Sequence, residues 1–98
     1  MKTWSTDILI IGAGFAGSLM ALCLRKLGRD VMVVDRDRHP RFAIGESSTP
    51  LADLMIRQIA EEFHLPQLVP LSAYGSWKTT LPELGCGLKR GFSYFHHR

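Results

Sequence analysis

The sequence predicts an α/β fold built on a parallel βαβ unit, and three observations predict it. Residues 8–11 are a wholly apolar run of strand length, Ile8-Leu9-Ile10-Ile11. GAGFAG at residues 12–17 follows at once and opens a stretch with helical spacing. A second run, Val31-Met32-Val33-Val34, closes on Asp35. Strand, glycine turn, helix, strand and acid in this order are the layout of a Rossmann-like dinucleotide site.

Each element has its own signal. The first strand is expected over residues 7–11. The first helix is expected over residues 16–27, with Leu19, Met20, Cys23, Leu24 and Leu27 as its apolar stripe. Gly28 suits its C-terminal cap, and Arg25 and Lys26 in the last turn favour the negative end of the dipole. The second strand, residues 31–34, is apolar throughout, as a strand buried on both faces should be. The crossover between the strands is expected to be right-handed. Residues 36–49 form a long polar connection, a kind of loop that is often functional. Thr49 is the natural N-cap of a second helix, and Pro50 suits its first turn. Leu51, Leu54, Met55 and Ile59 supply its expected buried face. That helix is expected to end near Phe63-His64, with Pro66 blocking continuation. Residues 67–85 are punctuated by prolines and glycines and read as irregular. Ser93-Tyr94-Phe95 reads as the core of a strand.

The glycines have mechanical roles. Gly12 allows a sharp turn out of the first strand. Gly14 lacks a side chain that would hold a pyrophosphate away from the backbone. Gly17 permits close packing of helix on sheet. The helix then begins with free N–H groups and a positive dipole end facing the phosphate. Asp35 lies 18 residues beyond Gly17, near the spacing of about 20 expected of the acid that binds a ribose hydroxyl.

Composition narrows the alternatives. At 98 residues the chain makes one domain at most. It is expected to be the N-terminal part of a larger polypeptide, because a complete FAD- or NAD-dependent enzyme with its own substrate domain does not fit in it, and a parallel sheet that needs cover on both faces is not expected to be stable alone. The net charge of +3 is modest, and no zinc-finger, helix-turn-helix or RNA-binding signature accompanies it, which argues against nucleic acid. The cluster Arg36, Arg38 and Arg41 fits a phosphate-bearing cofactor better. Residues 8–24 carry no charge. That run is short of the roughly 20 residues needed to cross a bilayer. Asp7 precedes it, glycines interrupt it, and no small-residue cleavage site follows. Stable membrane insertion is therefore not expected. Cys23 and Cys86 fit no disulfide or CxxC pattern, so a reducing cytoplasm is the expected compartment. Cys23 reads as a small core residue, and Cys86 as a packing or loop residue.

Three segments together resemble one superfamily. They are GAGFAG with Asp35-Arg36, PRFAIGESSTP at residues 40–50, and GCGLKRGFSYFHH at residues 85–97. The combination is similar to flavin-dependent halogenases, the tryptophan-halogenase-like group, and to related FAD-dependent monooxygenases. Arg41, Gly45 and Glu46 match the Arg-x-x-x-Gly-Glu segment that marks the family. The resemblance implies FAD as cofactor. It implies that Gly12, Ala13, Gly14, Phe15, Ala16 and Gly17 hold the pyrophosphate, and that Asp35 binds the adenosine ribose with Arg36 beside the adenine end. It implies that Arg41, Gly45, Glu46 and Ser47 line the cofactor. Lys89, with Tyr94 five positions on, matches the spacing of the family's lysine; Lys78 competes for that role. The chemistry asks for a lysine because an ammonium can hydrogen-bond hypohalous acid and make its halogen more electrophilic, while a free amine can form a haloamine.

The resemblance further implies a small-molecule substrate, aromatic or otherwise electron-rich, and a separate flavin reductase as a partner. The Trp-x-Trp-x-Ile-Pro segment of halogenases is not among these residues. Related hydroxylases and geranylgeranyl-reductase-like enzymes share the first half of the pattern and stand as alternatives, as does an inactive nucleotide-binding fragment. The remaining candidates read as structural. His64 suits a helix end, Trp4 and Trp77 suit packing, and Glu61-Glu62 suit a solvated face. His96 and His97, as neighbours in a strand, would point to opposite faces, so no metal site is expected.

Overall fold

The computed structural model describes residues 1–40, 47–91 and 93–97. The chain divides into two compact units, Met1–Ile44 and Gly45–Arg98. Arg41, Gly45 and Glu46, expected at the cofactor, lie outside the described residues.

The first unit is the βαβ element. Strand β1 spans Ile8–Ile11, helix α1 Phe15–Lys26 and strand β2 Val31–Val34. The strands pair in parallel with Ile8 opposite Val31 and Ile11 opposite Val34. The ladder continues at both ends, where Ile8 N donates to Asp30 O at 3.1 Å and Gly12 N to Val34 O at 2.7 Å. The start of β1 is tied to the same residue: the Thr6 hydroxyl donates to Asp30 O, and the Asp7 carboxylate accepts from Asp30 N.

Helix α1 begins one residue earlier than its apolar pattern suggested and ends one residue earlier, with Leu27 as C-cap and Gly28 beyond it at φ +79°. Arg25 and Lys26 occupy its last turn. Arg29 N donates to Leu24 O and Gly28 N to Arg25 O, which satisfies carbonyls the helix end would otherwise leave open. Of the expected apolar stripe, Cys23 is buried and Leu19 and Leu24 half-buried, whereas Met20 and Leu27 are exposed.

The expectation of a second strand buried on both faces does not hold. In β1, Ile8 and Ile10 are half-buried while Leu9 and Ile11 are exposed. In β2, Val31 and Met32 are half-buried, and Val33 and Val34 are exposed. Alternate residues of a strand point to opposite faces, and among the described residues α1 is the element of this unit that packs on the two strands.

The second unit is helical. Helix α2 spans Pro50–Glu62, a 3₁₀ segment Pro66–Ser72, and helix α3 Tyr74–Thr80. Thr49 caps α2 as expected, its hydroxyl accepting from Ala52 N at 3.3 Å, with Pro50 in the first turn. The buried face of α2 differs from the expected one. Ile56 and Ala60 are buried and Ile59 half-buried, whereas Leu51, Leu54 and Met55 are exposed. The 3₁₀ segment selects that face by packing against it through Leu68, with Leu65 fully buried at the turn between them. Arg57 reinforces the contact, its guanidinium donating to the buried Ser72 hydroxyl, which itself donates to Val69 O. His64 sits just past α2 at φ +54°, a cap position reached without glycine.

Helix α3 lies where irregular chain was expected. Trp77 helps hold it, its indole N–H donating to Leu84 O at 2.9 Å. Among the described residues, 93–97 form no strand, and Tyr94 and Phe95 are exposed. Trp4 is also exposed rather than packed.

Candidate functional site

The glycine turn joins β1 to α1 and carries the sharpest geometric demand in the chain. Gly12 has φ +113°, a conformation that side chains rarely adopt. Gly17, in the first turn of α1, lies close against it: a Cβ there would fall 2.0 Å from the Gly12 carbonyl oxygen. No side chain of any size fits between them. Close approach of helix to turn is the role expected of Gly17, and Ile10 on β1 contributes the neighbouring wall.

The start of α1 is left open for a ligand. Gly14 is its N-cap, with extended geometry and no side-chain cap, and the first turn holds no acidic residue. Ser18, which might have folded back as a cap, instead directs its hydroxyl to Ala13 O. The uncapped N-terminus of a twelve-residue helix presents backbone donors and a positive dipole end, a combination suited to phosphate oxygens.

Asp35, at the end of β2, faces the turn. Its Oδ2 accepts from Ala13 N at 2.7 Å and its Oδ1 from Asp37 N at 2.8 Å. One carboxylate thus ties the glycine turn to the second strand and fixes its own orientation through an Asx turn. Each carboxylate oxygen can accept more than one hydrogen bond. An open cleft of about 330 Å³ lies here, lined by Ile11, Gly12, Asp35, Arg36 and Asp37. Arg36 is exposed, with its guanidinium 3.6 Å from the Asp37 carboxylate. Asp37 and Ile11 were not singled out from sequence. The Asp-x-Asp spacing at the end of β2 was the available signal for Asp37, since Asx turns act two residues ahead.

In the second unit, Lys89 Nζ donates to Ser47 Oγ at 3.3 Å. These are the sole described site residue of the Arg41–Ser47 group and the family's candidate lysine. Lys78 lies elsewhere, on α3, with its ammonium 5.8 Å from the centre of the Tyr74 ring. Among the described residues no group of His, Cys, Asp and Glu is arranged to hold a metal ion. Among the described residues no helix is long and apolar enough to cross a membrane.

A parallel βαβ unit with an open helix N-terminus, a glycine turn that excludes side chains and an acid at the end of its second strand defines a dinucleotide-binding domain. Residues 7–98 match the model of the FAD dependent oxidoreductase family, and the chain belongs to that family. It is 35% identical over 92 residues to monodechloroaminopyrrolnitrin halogenase PrnC of Pseudomonas fluorescens. It is 30% identical over 92 residues to tetracycline 7-halogenase of Kitasatospora aureofaciens. Each alignment covers 94% of this chain, which spans only 16% of either relative's length. The crystal structure of halogenase PltM in complex with phloroglucinol and FAD superposes with a TM-score of 0.72 at 35% identity, covering 76% of this chain and 15% of that one. Squalene epoxidase 5 of Arabidopsis thaliana is 42% identical, over 59% of this chain.

The residues present fit FAD. The Gly12–Gly17 contact leaves no room for a Cβ, the α1 N-terminus carries no side-chain cap, and an open cleft lies beside Asp35.

Proposed function

We propose that this chain is the FAD-binding N-terminal part of a flavin-dependent halogenase. The observation that carries the reading is the likeness to two halogenases along 94% of the chain, glycine turn and Lys89 segment included. The turn from Gly12 through Ala13, Gly14, Phe15 and Ala16 to Gly17 binds the pyrophosphate. Asp35 binds the adenosine ribose, and Arg36 lies at the adenine end. Arg41, Gly45, Glu46 and Ser47 line the cofactor.

Reduced FAD with oxygen supplies the oxidising equivalents that convert halide to hypohalous acid. Lys89 then acts on that species. Its ammonium donates a hydrogen bond to the oxygen, which withdraws electron density from the halogen and favours attack by an electron-rich ring. The substrate is a small aromatic or similarly electron-rich molecule, a separate flavin reductase delivers reduced FAD, and the protein works in the cytoplasm. The squalene epoxidase likeness favours a second reading, oxygen transfer to a carbon–carbon double bond, but it stops at 59% of the chain.

The test uses the full-length protein that carries this chain, with reduced FAD, oxygen, bromide and an aromatic acceptor, read by product mass. A brominated product is expected, and it is lost in Lys89→Ala and kept in Lys78→Ala. Loss in Lys78→Ala alone would transfer the role to Lys78. An oxygenated, unhalogenated product would favour the second reading.

A further inference from the structure

We propose that Ser47 is a positioning residue for the Lys89 amine, an inference that deepens the halogenase reading and rests on it. Residues 85–91 have no regular secondary structure, and Gly85, Gly87 and Gly91 surround the lysine. A lysine side chain on such a backbone has a flexible stem, whose ammonium a fixed partner can position. Ser47 is placed differently. It stands two residues before the α2 N-cap, next to Ser48, whose hydroxyl donates to Asp53 Oδ1 at 2.5 Å, and Thr49, whose hydroxyl accepts from Ala52 N. The first turn of a thirteen-residue helix therefore fixes the backbone that presents the Ser47 hydroxyl. That hydroxyl accepts from Lys89 Nζ at 3.3 Å across 42 residues of sequence.

A hydroxyl suits this task chemically. It accepts from an ammonium, and by rotating it donates to the lone pair of a neutral amine. Ser47 thus holds the Lys89 nitrogen at one place in either protonation state. A carboxylate there would bind only the charged form well, and a methyl group neither. The bond is a restraint on position, so its loss falls on turnover more than on the affinity for substrate.

The experiment compares Ser47→Ala and Ser47→Thr with the wild type in the full-length, FAD-loaded protein. Lysines are acylated with a small N-hydroxysuccinimide ester, and the rate at Lys89 is read by peptide mass, with Lys78 as the internal reference. Halogenation kcat and KM and the bound FAD content are measured beside it. In Ser47→Ala, Lys89 is expected to acylate several-fold faster against an unchanged Lys78, with kcat, compared at saturating FAD, down about tenfold and KM little changed. Ser47→Thr, which keeps the hydroxyl, is expected to restore both rates. Unchanged Lys89 acylation in Ser47→Ala overturns the proposal whatever the FAD content, and would leave Ser47 its cofactor-lining role alone. The acylation rates do not depend on halogenation. A faster Lys89 in a protein that halogenates nothing would sustain the Ser47–Lys89 restraint while refuting the halogenase reading.

Discussion

Gly12 and Gly17 act as a pair. The carbonyl of one occupies the space a Cβ on the other would need, 2.0 Å away. Gly17→Ala must therefore push α1 off the turn. Overpacking of this kind costs about 1–3 kcal/mol, and it would displace the helix N-terminus that is proposed to face the pyrophosphate. Thermal melts with and without FAD should show a lower Tm and a reduced gain on adding FAD. Gly28→Ala is the matched control. It also has positive φ, +79°, but its Cβ would meet open space, so it should cost about 1 kcal/mol of strain and leave the FAD-induced gain intact. The roles of Gly12 and Gly17 were legible in the sequence because glycine spacing reports backbone geometry directly. The bond from Ala13 N to Asp35 was not, since it joins two residues whose distance depends on the register of the strands.

At the level of elements, the pattern of agreement follows how local each signal is. The β1-α1-β2 unit was read within a residue at its ends, because turn, cap and apolar runs all act over a few residues. Thr49 and Pro50 fixed the start of α2 for the same reason. Thr49→Ala should cost about 1 kcal/mol in urea unfolding and Thr49→Ser close to nothing; an unchanged midpoint for the alanine variant would mean that the cap contributes nothing to the helix. The face of α2 was misread because its sequence offers two apolar stripes. The one through Ile56 and Ala60 is buried because the 3₁₀ segment packs on it, and that partner was hidden behind Pro66 and Pro70, residues that signal breaks. Helix α3 was missed on similar grounds: Gly75 and two threonines in seven residues give it low intrinsic propensity. Ser93-Tyr94-Phe95 has strand composition, but composition supplies no partner strand, and strands depend on one.

For the molecule as a whole, the sequence announced the ligand class more clearly than it announced the packing. The two strands carry exposed apolar residues, including Leu9 at 52% and Ile11 at 82%. Continuous apolar runs are written for a sheet covered on both faces, so the prediction of burial followed the pattern faithfully and the two-stranded sheet did not meet it. The site at the end of those strands needed less. It depends on a turn, a helix end and one carboxylate, all within a single βαβ unit, and these were in place.

The central claim is that this chain holds FAD through that unit. Its most direct test is a visible-range titration of the purified full-length protein with FAD and, separately, with NAD, repeated on Asp35→Ala. The wild type should take up one FAD with a shifted flavin spectrum and ignore NAD. The variant should bind FAD about tenfold more weakly or worse, having lost the carboxylate that orders the turn through Ala13 N and Asp37 N. A colourless protein that binds NAD and leaves FAD free would contradict the account.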